Sequence, residues 1–184
     1  MILEIVKYGD SALRQKGKRV PEITDEIREL AADMIETMRE ANGVGLAAQQ
    51  VGIPMQLTVL DVGVTEERPS TMTVDGKEVD LTEWMPMVLM NPTLELGPEK
   101  IENSEGCLSF PEITAEIERS ASVKAKGQLL DGRQIEFEAT GLLARALQHE
   151  TDHLNGILFI DRMKSATRTA LAGKLKRLQR EGKV

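Results

Sequence analysis

Residues 141–154 read GLLARALQHETDHL, and this stretch decides how the rest of the chain is understood. Thr140 stands before it as a cap and Asn155-Gly156 follows as a stop, which predicts a helix. His149 and His153 are four residues apart, so on a helix they stack on one face and can share a metal ion. Leu142, Ala146, His149 and His153 form one row, and Leu143, Leu147, Glu150 and Leu154 form its neighbour. Arg145, Gln148, Thr151 and Asp152 fall largely outside both. Two imidazoles and a carboxylate therefore lie where the apolar stripe points. An unpaired carboxylate there is costly, and a bound cation accounts for all three groups. H-E-x-x-H also occurs by chance, but this chain has only two histidines and both are here.

A catalytic metal site of this kind needs a third protein ligand and one open position. Downstream of the helix the only acids are Asp161, which is too near along the chain, and Glu181, in a basic tail. Upstream stands Glu105-Gly106-Cys107-Leu108-Ser109, in a loop-like setting. A lone cysteine is ordinarily a buried inert thiol, but beside two histidines ligation by Cys107 is the better reading. A metallopeptidase with a downstream ligand is the main rival. A non-catalytic metal-stabilised module would need a fourth ligand, and no further Cys or His exists.

Composition sets the frame. The chain is 184 residues, 41% hydrophobic and 29% charged, which fits one globular domain with its own core. Aromatics are 3%, so aliphatic residues and nine methionines must fill that core. A single cysteine excludes an intramolecular disulfide. No run approaches the ~20 apolar residues of a membrane span, and Glu4 and Lys7 break the apolar start, so cytoplasm is the expected location. A net charge of −7 argues against a general nucleic-acid surface, DNA included. The segment 164–184 is the exception, with seven basic residues and one acid.

Elsewhere, Ile27, Leu30, Met34, Met38 and Ala41 mark an amphipathic helix capped by Thr24 and ended by Asn42-Gly43. Leu57–Val62 and Met87–Met90 read as buried strands, the second closed by Asn91-Pro92. Between them, 63–86 reads as a surface insertion with a small hairpin at Asp75-Gly76. A clearer hairpin places Val123, Ala125 and Leu129 against Ile135 and Phe137 across Asp131-Gly132. Leu171, Leu175 and Leu178 mark a last helix. Helices and antiparallel or mixed strands without β-α-β alternation give an α+β fold around the H-E-x-x-H helix, with N- and C-terminal helices.

Gly43-Val44-Gly45-Leu46-Ala47-Ala48-Gln49-Gln50 superficially fits a dinucleotide fingerprint, but it follows a helix and precedes a strand, the reverse of what that fingerprint requires. Together with Glu105–Ser109 and Gln148–Leu154, this segment resembles the three signature motifs of the peptide deformylase family, in the family's order. The resemblance covers most of the chain. It implies Cys107, His149 and His153 as ligands, Glu150 as general acid/base, and Gln50 with the Leu108 N–H as donors to the substrate carbonyl. It implies hydrolysis of the formyl group from formyl-methionyl chains by metal-bound hydroxide, with Fe(II) in the cell and zinc, nickel or cobalt in purified protein.

Val44, Gly45, Gly106, Leu142 and Ala146 are the substrate-pocket candidates, and Glu105, Asp152 and Arg119 are expected to support the ligands. Meeting chains at the ribosome implies a transient contact through Lys174, Lys176, Arg177, Arg180 and Lys183, against the plainer reading of a solvated helix face. Four departures stand out: Gly9 where many members have proline, Thr114 where arginine is frequent, Arg145 where an apolar residue often helps form the methionine pocket, and the 63–86 insertion, longer than usual and expected to border the cleft.

Overall fold

A computed structural model describes residues 1–63 and 67–183. Residues 64–66 of the expected insertion and position 184 of the basic tail lie outside the described residues. The first helix, α1 (Asp25–Glu40), starts where Thr24 Oγ1 accepts the Ile27 N–H and ends before Asn42, whose φ is +57°. It buries Ile27, Ala31, Met34 and Met38 against β1 (Gly45–Ala47), β2 (Leu57–Leu60) and β5 (Met87–Leu96).

β5 does not stop at Asn91-Pro92 as the sequence suggested. A register shift between Met90 and Thr93 passes the proline, which cannot donate to a ladder. Asn91 takes φ +51° at the bulge, and its side chain bonds the backbone N–H and carbonyl of Val20.

β3 (Ser70–Val74) and β4 (Lys77–Val79) form the expected hairpin, with Asp75 and Gly76 both at positive φ. The segment is more than a surface insertion. β3 pairs with β9 (Gln134–Thr140), and its Met72 is fully buried. β8 (Ser122–Leu129) and β9 form the hairpin that Asp131-Gly132 announced. The seven-stranded sheet runs β1-β2-β5-β8-β9-β3-β4, and all its strand pairings are antiparallel.

A second sheet pairs β6 (Lys100–Cys107) with β7 (Phe110–Ser120). Cys107 therefore ends a strand and does not sit in a loop. The charged run of β6 hid this, because the exposed Lys100, Ile101, Glu102 and Asn103 offer no apolar alternation.

Between the two sheets lies α2 (Gly141–Leu154). Leu143, Ala144 and Leu147 pack with Met72, Leu89, Ala125 and Phe137 on its large-sheet side. Thr140 makes no side-chain cap bond. Instead Ser70 Oγ accepts the Leu143 N–H and the Pro69 carbonyl accepts that of Leu142, so the β3 segment caps the helix start. The third core joins Tyr8, Phe110, Ile113 and Ile117 to Phe159 and to Leu175 of α3 (Ser165–Glu181). Gly9 has a clear purpose here: its φ is +110°, and a Cβ would run into the Gln179 carbonyl of α3.

Candidate metal centre

Cys107 at the end of β6 and the two histidines of α2 converge across the seam between the small sheet and the helix. Their ligand atoms all lie within 4.8 Å of one another, with Cys107 Sγ 3.4 Å from His153 Nε2. His149 and His153 stack edge to face at 5.0 Å between ring centroids. The His149 Nδ1–H donates to Glu105 Oε1 at 2.8 Å, which leaves Nε2 as its ligand atom. A thiolate and two imidazoles suit a divalent transition metal. One orphaned group supports the fit: among the described residues, Glu150 Oε1, in the same cleft, is buried without a partner.

Electrostatics point the same way. Burial opposes charge on His149, yet Glu150, Cys107 and Glu105 around it hold its pKa well above the ordinary value, so the pocket favours a positive charge. Burial and the charge of His149 push His153 well below its ordinary value, toward the neutral form that ligates. Burial raises Glu150 to about 7, against the pull of His149. Burial also works against the Glu105 carboxylate, but His149 and Arg119 outweigh it and hold its pKa well below the usual range.

Glu150 is oriented by a glycine. A Cβ built on Gly45 would lie 2.6 Å from Glu150 Oε2, so β1 leaves room for this carboxylate. Gln50 follows on a 3-10 turn, where its Oε1 accepts the Ala47 N–H at 3.0 Å. Its Nε2 lies 3.2 Å from Ser109 Oγ and 3.6 Å from the Cys107 sulfur. These groups border one cavity of about 480 Å³, lined also by Val44, Gly106, Leu108, Leu142 and Ala146. A larger groove of about 560 Å³ follows the Gln148–Asn155 side of α2 and is lined by none of Cys107, His149 and His153.

The supporting shell is denser than the sequence indicated. Arg119 grips Glu105 with two bonds, of 2.9 and 3.0 Å, and gives a third of 2.7 Å to Asp152. Arg145 and Gln148, outside the apolar rows, are 6% and 5% exposed. They turn toward the small sheet: Gln148 bonds the Ser120 N–H and carbonyl, and Arg145 reaches Glu105, Ile117 and Ile101. Only the second sheet, unforeseen in the sequence, explains why these polar residues are buried. Asp161, a rejected third ligand, is taken up by Arg14 and the Leu158 N–H.

An α+β fold whose central helix carries H-E-x-x-H, beside a cysteine and a buried carboxylate in an open cleft, is that of a metal-dependent hydrolase. Comparison with known proteins narrows the class. The polypeptide deformylase family model matches residues 2–169. Peptide deformylase from Methylacidiphilum infernorum is 43% identical over 98% of this chain and 94% of its own. That from Opitutus terrae is 42% identical over 97% and 93%. The crystal structure of the Thermus thermophilus enzyme matches with a TM-score of 0.82 at 35% identity, covering 99% of this chain and 100% of that one. A Synechococcus elongatus peptide deformylase, solved in complex with actinonin, matches at 0.78 and 39% identity, covering 94% and 85%.

The chain belongs to the polypeptide deformylase family, metal-dependent hydrolases that remove the formyl group from nascent peptides. Among the described residues, no helix is long and apolar enough to cross a membrane.

Proposed function

We propose that this chain, acting as one catalytic domain over 1–184, deformylates formyl-methionyl polypeptides at a cation held by Cys107, His149 and His153. The observation that carries the reading is the buried Glu150 carboxylate, which lines the same cleft as Cys107 and His149, whose ligand atoms lie within 4.8 Å of that of His153. A divalent cation bound there supplies a Lewis acid that polarises a carbonyl and makes water more acidic. Glu150, with its pKa near neutrality, takes a proton from the attacking water and delivers it to the leaving nitrogen. Formate and a free amine are the products. The Gln50 amide and the Leu108 N–H donate to the oxygen that gains charge.

Val44, Gly45, Gly106, Leu142 and Ala146 line the cavity that would receive the methionine side chain. Arg145 also borders this cavity, with its guanidinium bonded to Glu105 and to the Ile117 and Ile101 carbonyls. Fe(II) is the proposed metal in the cell, with nickel, cobalt or zinc as replacements in purified protein. The proposed location is the cytoplasm, with a transient ribosome contact through the exposed Lys174, Lys176, Arg177 and Arg180 of α3 and the adjoining Lys183. The test is formate release from a formyl-Met tripeptide by protein loaded anaerobically with Fe(II). Rapid release supports the reading; cleavage of internal peptide bonds without formate release overturns it in favour of a metallopeptidase.

A further inference from the structure

The Glu105 carboxylate is 5% exposed and accepts four hydrogen bonds, two at each oxygen. Four is about the number of lone-pair sites that an ionised carboxylate offers. Oε1 takes His149 Nδ1–H and Arg119 Nη2–H; Oε2 takes Arg119 Nε–H and, at 2.6 Å, Arg145 Nη1–H. Arg119 belongs to β7 and grips Glu105 from within the small sheet. Arg145 comes from α2, one turn before His149. Its remaining bonds go to the Ile117 carbonyl of β7 at 2.9 Å and the Ile101 carbonyl of β6 at 2.8 Å. Apart from His149 and His153, Arg145 is the α2 side chain that hydrogen-bonds to β6 among the described residues. The metal ligands are divided between these same two elements, Cys107 on β6 and both histidines on α2.

We propose that Arg145 is a positioning residue for the metal centre: it locks the carboxylate that holds His149 and fixes the strand of Cys107 against the helix of His149 and His153. The inference rests on the ligand set proposed above. Arg145 is 6% exposed, and the guanidinium is committed to three acceptors, so it is not an anchor for an acidic substrate side chain. A planar fork suits three acceptors on two strands, which a lysine ammonium cannot reach together.

The experiment uses the full chain loaded with Co(II), comparing wild type, Arg145→Met, Arg145→Lys, Glu105→Gln and the Arg145→Met/Glu105→Gln pair. The readouts are the visible Co(II)–thiolate spectrum, the rate of cobalt loss to a chelator, and separate kcat and KM values. Arg145→Met is expected to lose cobalt about 10- to 100-fold faster, the usual cost of disturbing a partner of a ligand. Its spectrum shifts and kcat falls while KM changes little. Adding Glu105→Gln brings little further loss, and Arg145→Lys falls between Arg145→Met and wild type.

A wild-type release rate and spectrum in Arg145→Met overturn the proposal, as does a change confined to KM or full multiplication of the two effects. Should Arg145→Met fail to fold, wild-type cobalt retention in Arg145→Lys overturns it equally. Failure of wild type to bind one cobalt with a thiolate signature removes the underlying ligand set as well.

Discussion

Gly45→Ala probes how Glu150 is placed without touching any ligand. A Cβ at this position would lie 2.6 Å from Glu150 Oε2 and 2.9 Å from its Cδ and Cγ, short of ordinary 3.4 Å contact by 0.8 and 0.5 Å. The obstructing atoms are the end of a flexible side chain, so the carboxylate retreats and the backbone stays. A misplacement near 1 Å at a reacting group costs on the order of 10²-fold in rate. A slightly smaller one predicts a kcat lower by about 10- to 100-fold, or about 1.4–2.7 kcal/mol of barrier. The assay is formate release at saturating peptide, with metal content and thermal unfolding measured on the same preparation. One equivalent of metal and a near-normal Tm are expected. Gly173→Ala, on an open position of α3, is the control and should leave kcat unchanged. A Gly45→Ala enzyme within twofold of wild type would refute the placement of Glu150 described above.

Gln50→Leu should lose about 2.7–4 kcal/mol of transition-state stabilisation, a kcat fall of about 10²- to 10³-fold. Because it also strips the Ala47 N–H of its acceptor, Tm should drop as well; an unchanged kcat removes Gln50 from the oxyanion site. Asp161 gives a pH prediction. Burial disfavours its charge, but the hydrogen bond from Arg14, assisted by the Leu158 N–H, lowers its pKa in the folded protein. Its contribution to stability is therefore complete above the unfolded value of about 3.9 and fades as pH falls through the folded value. The Tm gap between wild type and Asp161→Asn should close toward low pH, and a gap that widens on acidification contradicts the assignment.

Much of the site was legible because its chemistry is concentrated in rare residues. Two histidines and one cysteine, at one helical spacing and in one motif, left few alternatives, and the structure brings those three together. Hairpins with Asp-Gly turns and helices with clear stripes were readable for the same local reasons. What escaped depends on pairing across distance. β6 carries almost no apolar alternation, so the small sheet left no periodic trace. Without that sheet, Arg145 and Gln148 look like solvent-facing positions on α2, although both are buried against it. The cap from Ser70 was invisible for a related reason: it lies 73 residues from the helix turn it serves. Arg145, noted as a departure at the methionine pocket, became intelligible only once Glu105 had a place beside it.

In the proposed mechanism Glu150 moves the proton at a metal held by other residues. The most direct measurement is formate release by Glu150→Ala, loaded with nickel to the same stoichiometry as wild type, over a time that gives many wild-type turnovers. The prediction is one equivalent of metal retained and no formate above background. Formate release at the wild-type rate from that metallated variant would contradict the claim.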